Sequence, residues 1–88
     1  MDRWPSLVNE QKCIIKFMHP EGDYAIYIVQ NSEGTYCTFE EELSDYMGVK
    51  NWLPIGVSSS IYDNKEKLIA EIKCTNEWIS NVIPLYNT

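Results

Sequence analysis

The chain has 88 residues, of which 44% are hydrophobic and 23% charged, and a formal net charge of −6 at pH 7. Those proportions fit one globular domain and exclude a largely disordered chain. The charge is uneven: seven acids and no Lys or Arg lie between Phe17 and Met47, against six acids and seven bases elsewhere. An acidic middle third excludes a surface for a nucleic-acid backbone and suits a partner with a basic surface.

Residues 1–11 show no apolar period, and Pro5 forbids a strand interior or a long helix there. They and residues 84–88 are expected to be loosely ordered ends of a single domain, 1–88. The alternation of 12–18, KCIIKFM, predicts a strand with Cys13, Ile15 and Phe17 on one side and Ile14, Lys16 and Met18 on the other. A turn, HPEGD, follows. Residues 24–30, YAIYIVQ, are β-branched and aromatic on both faces, which predicts a central strand. NSEG reads as a hairpin turn with Gly34 at positive φ, and 35–39 as a third strand of an antiparallel meander.

The run Glu40, Glu41, Glu42 reads as the first turn of a short helix. Thr38 and Glu41 have capping-box spacing, the dipole favours acids there, and Phe39, Leu43, Tyr46 and Met47 fall on one helical side before Gly48. Pro54 makes 51–57 an edge strand. A long helix is expected over 63–83, capped by Asp63 with Glu66, its stripe formed by Leu68, Ile69, Ile72, Thr75, Ile79, Val82 and Ile83. The order β-β-β-α-β-α predicts an α+β fold: a small antiparallel sheet with the long C-terminal helix packed on one face and a short helix at one end. One long helix cannot cover both faces of an apolar central strand, so a homodimer or larger assembly is expected.

Chemistry-bearing residues are sparse. His19 is the sole histidine and has no recognisable nucleophile or orienting group in sequence. The spacing of Cys13, Cys37 and Cys74 fits reduced thiols rather than a disulfide framework or metal knuckle. No calcium-loop pattern occurs, and Ser58, Ser59 and Ser60 lack the glycines and lysine of a phosphate loop. Neither a cofactor nor a catalytic residue is expected. With no apolar leader and no run near the ~20 residues of a membrane span, a cytoplasmic location and no membrane contact are expected.

Two functions remain. The first is a non-catalytic acidic protein that docks on a protein partner and inhibits or neutralises it, as small inhibitors, immunity proteins and viral anti-defence proteins do. Its contact residues would be Glu21, Asp23, Glu33, Glu40, Glu42, Asp45, Trp52 and Trp78. The second is an oligomeric binder that sequesters a small anionic, nucleotide-like signalling molecule. Tyr24, Tyr27, Tyr36 and Trp52 would stack on its base, and Ser58, Ser59 and Ser60 would receive its phosphates.

Overall fold

Alternating apolar side chains form two adjacent strands, β1 (Lys12–Met18) and β2 (Tyr24–Gln30), in a computed structural model that describes residues 3–7, 10–57 and 60–87. Strands β3 (Tyr36–Tyr46), β4 (Val49–Val57) and β5 (Leu85–Tyr86) complete a five-stranded antiparallel sheet in the order β4-β3-β2-β1-β5. Helix α1 (Lys65–Thr75) and a 3-10 turn (Glu77–Asn81) precede β5. The fold is mostly sheet, and this corrects the expected β-β-β-α-β-α arrangement in two places.

No helix starts at the glutamates. Residues 40–46 continue β3, paired with β2 from Ile26↔Glu40 to Tyr24↔Glu42 and with β4 as far as Tyr46↔Val49, with one bulge between the pairs Glu40↔Gly56 and Glu41↔Pro54. The capping-box spacing is coincidental, because each glutamate alternates across the sheet instead. Gly48 (φ 81) does not stop a helix but, with Met47 (φ 52), makes a two-residue turn with positive φ at both positions. Such a turn matches the right-handed twist of the strands it joins.

The expected helix of 63–83 is also broken. Asn64, not Asp63, caps α1: its side chain accepts from the N–H groups of Glu66 (2.8 Å) and Lys67 (3.2 Å). At the other end, Thr75 Oγ1 donates to the Ile72 carbonyl (3.3 Å) and Asn76 Nδ2 donates to it at 3.1 Å. Side chains that compete for helix carbonyls favour termination, and Asn76 leaves helical backbone (φ −135, ψ 91). The apolar stripe is thereby divided. Leu68 and Ile72 of α1 and Ile79 of the 3-10 turn are buried, while Ile83 is 86% exposed.

Two apolar layers sandwich the sheet. On its helix side Ile15, Phe17, Ile26 and Ile28 meet Leu68, Ile72 and Ile79. On the other side Cys13, Ala25, Tyr27, Val29, Cys37 and Phe39 are packed by Trp4, Leu7, Met18 and Trp52. A bulge at Ile14, between the pairs Cys13↔Val29 and Ile15↔Ile28, moves Cys13 to the side opposite Ile15 and Phe17, where simple alternation would not put it. Asn87 closes the bulge, its N–H donating to Ile14 O (3.0 Å) and its side-chain nitrogen to Cys13 O (3.0 Å).

Residues Ala25 to Val29 are buried within this single chain, because the N-terminal residues cover the face that α1 leaves. The exposed central strand that motivated a second copy therefore does not exist.

The divided stripe gives a direct check by chemical denaturation. Ile79→Ala is expected to cost about 2–5 kcal/mol. Ile83→Ala, which one continuous helix would make comparable, is expected to stay within ~0.5 kcal/mol of the wild type.

Candidate functional site

The buried charged groups, Lys16 and Glu41, are tied to other groups of the fold. Glu41 points to the side away from α1 and is 4% exposed. It accepts from the Tyr27 hydroxyl (2.9 Å) and ion-pairs with Arg3. The Arg3 guanidinium lies 5.5 Å from the Trp52 ring centroid, and its carbonyl accepts from Lys16 Nζ (3.2 Å), which itself stands over Tyr27. Burial, with Glu41 as acceptor, pushes the Tyr27 hydroxyl well above the usual tyrosine range.

Two of the three thiols, Cys13 and Cys37, are buried, and Cys74 is exposed. Cys13 and Cys37 sit on β1 and β3, two strands apart on the same side of the sheet. Strand spacing separates them by roughly 10 Å, too far for a disulfide. Burial first, then Glu41 and Cys37, pushes Cys13 from 9.0 up to about 12. Burial also raises Cys37. His19 lies on the other side of the structure, against Trp78 at 5.0 Å. Its Nδ1 accepts from the Glu21 N–H (3.1 Å) and stands 3.9 Å from Asp23 Oδ1. The ligand atoms of His19, Glu21 and Asp23 lie within 4.8 Å of one another, but the imidazole lone pair is already engaged by the turn.

What the structure does assemble is a surface at one end of the sheet. Trp78 packs edge-on to His19 and Tyr24, the latter at 6.0 Å. Tyr24 donates its hydroxyl hydrogen to Glu40, and Glu42 is its cross-strand partner. Glu21 and Asp23 occupy the adjoining turn. Four of the expected contact acids, Glu21, Asp23, Glu40 and Glu42, thus gather beside Trp78. The others lie apart. Glu33 is in the β2–β3 turn at the far end, Asp45 faces the opposite side across from Lys50, and Trp52 is half-buried beside Arg3.

From this acidic corner an arm projects. Pairing of β3 with β2 ends at Tyr24↔Glu42, where the Leu43 N–H donates to Asp23 O (2.8 Å), but β3 and β4 run on together to Tyr46↔Val49. Alternation from Glu42 puts Leu53, Tyr46 and Val49 on the same side of the arm. All are exposed: Tyr46 74%, Val49 58% and Leu53 47%, with Met47 at the tip 86%. The sequence reading placed Tyr46 and Met47 in a helix and Leu53 in an edge strand, and gave none of the four a contact role.

The alternative ligand set is dispersed. Tyr27 is fully buried. Tyr24 and Tyr36 stand at opposite ends of β2 and its partner, roughly 20 Å apart along the strand, and Trp52 is on the other side of the sheet. Ser60 is exposed, and Ser58 and Ser59 lie outside the described residues.

No family model, curated protein or solved structure matches the chain. Among the described residues no helix is long and apolar enough to cross a membrane.

The thiol assignments carry a measurable consequence. At mildly alkaline pH, Cys74, which is exposed, should react rapidly with a thiol reagent, while Cys13 and Cys37 react only on denaturation. Below pH 9.0 the Cys13 thiol is protonated in both states. From there to about 12 the unfolded chain ionises first, so stability should fall as pH rises across that window. Rapid modification of all three native thiols would contradict the packing.

Proposed function

We propose that this protein is a non-catalytic binding module that docks on a protein partner through the β3–β4 arm and the acidic corner beside it, and thereby inhibits or neutralises that partner. The observation that carries this reading is Met47. A non-glycine residue in left-handed backbone costs stability, and an Asn there would cost less. Here the position holds a methionine that is 86% exposed, so its side chain gains nothing from the fold. Strain retained at an exposed site is a mark of use.

Its neighbours support the same use. Tyr46, Val49 and Leu53 add exposed apolar area beside it, and contiguous patches of that kind mark interaction surfaces. Tyrosine is a common interface anchor, and methionine adapts to irregular partner surfaces. Glu21, Asp23 and Glu42 edge the patch on the sheet side. A complementary partner would present an apolar recess flanked by Lys or Arg, with long-range steering from the net charge of −6.

The test compares partner capture by the wild type, two double variants and one single variant. Tyr46→Ser with Met47→Asn should bind about tenfold more weakly or worse. Met47→Asn alone should raise folding stability by up to about 1 kcal/mol while lowering affinity. Asp23→Asn with Glu42→Gln should slow association and flatten its salt dependence. A partner bound equally well by every variant, or lost only on changing Ile61 or Ile83 elsewhere on the surface, would overturn the assignment.

A further inference from the structure

We propose that a separate cavity, between α1, the 3-10 turn and the β1–β5 edge, binds a small amphiphilic carboxylate. The cavity has a volume of about 230 Å³ and is bounded by Ile15, Phe17, Ile69, Ile79, Val82 and Pro84, with Lys73, Ser80 and Tyr86 completing its lining. It exists because the helix breaks at Asn76. The 3-10 turn swings Ile79 onto the sheet, and the chain then returns to pair Leu85 and Tyr86 with Lys16 and Ile15, leaving a space that neither segment fills.

The lining is polarised. Ile15, Phe17 and Ile79 are buried and form the floor, whereas Lys73, Ser80 and Tyr86 are exposed and form the mouth. Among the described residues no carboxylate lines the cavity and Lys73 makes no ion pair. An apolar floor with a cation and two hydroxyls at its opening matches an apolar body that ends in one anion. Size narrows the choice further. A cavity of about 150 Å³ accommodates a benzene ring, so this one accommodates roughly nine heavy atoms. A medium-chain or aryl carboxylate fits that limit, and a nucleotide does not. A single ammonium group also suits a carboxylate better than a multiply charged phosphate, which recruits several donors.

This site lies apart from the β3–β4 arm, so it can fail or hold independently of the docking reading. The probe is octanoate, titrated into the full chain and followed by the methyl resonances of Ile15, Ile69, Ile79 and Val82. Saturable binding in the sub-millimolar to millimolar range is expected, with shifts confined to those methyls. Octylammonium, which keeps the chain and reverses the charge, should bind about tenfold more weakly, as should octanoate to Lys73→Met. The exposure of Lys73 makes that variant safe for folding, and unchanged resonances elsewhere would confirm it. Shifts scattered over the surface, equal affinity for octanoate and octylammonium, or no saturation at solubility-limited octanoate would each overturn the proposal.

Discussion

The Glu41 carboxylate is the constraint around which the rest of the sheet is arranged. Its side chain is 5% exposed on an apolar face, where an unpaired charge would cost several kcal/mol. Arg3, 38 residues away in sequence, supplies the opposite charge, and the Tyr27 hydroxyl supplies a second donor. Arg3 is gripped at both ends, by Glu41 and Trp52 at the guanidinium and by Lys16 at the carbonyl. Satisfying one buried acid therefore draws the N-terminal residues across the sheet. Trp4, edge-on to Tyr27 at 6.1 Å, and Leu7 then seal the face that α1 cannot reach.

That closure determines what is left for function. With β2 buried on both sides, the exposed apolar area moves to the periphery, where β3 and β4 outrun the sheet. The register that puts Glu41 on the covered face puts Glu40 and Glu42 on the other one, next to Tyr24 and Trp78. One alternation along the EEE run thus separates the buried acid from two on the side of Tyr24 and Trp78. The arm needs no burial of its own, since its pairing with β4 and its two-residue turn hold its shape.

The strands β1 and β2 and the edge position of β4 were legible in the sequence because alternation, β-branching and Pro54 each act locally. The helical reading of 39–47 fails for a non-local reason. Phe39, Leu43 and Tyr46 fit a helix as well as they fit a strand, and glutamate has low strand propensity when exposed. What decides the matter is pairing with β2 and β4 together with the distant Arg3, none of which a window on 39–47 contains. The long helix fails locally instead: Thr75 and Asn76 bond back to Ile72, and a stripe of apolar residues carries no trace of that competition. Part of the candidate site was legible as clustered acids and Trp78. Of its apolar half, Tyr46 and Met47 were hidden by the same helical reading.

The most direct measurement is a double-mutant cycle on Arg3 and Glu41 by chemical denaturation. Arg3→Met, Glu41→Gln and the double variant would be compared with the wild type. If the buried carboxylate holds the N-terminal residues in place, each single change is clearly destabilising. The double variant is then little worse than Glu41→Gln alone, with a coupling of about 1 kcal/mol or more. Strict additivity, or an Arg3→Met variant as stable as the wild type, would contradict the account.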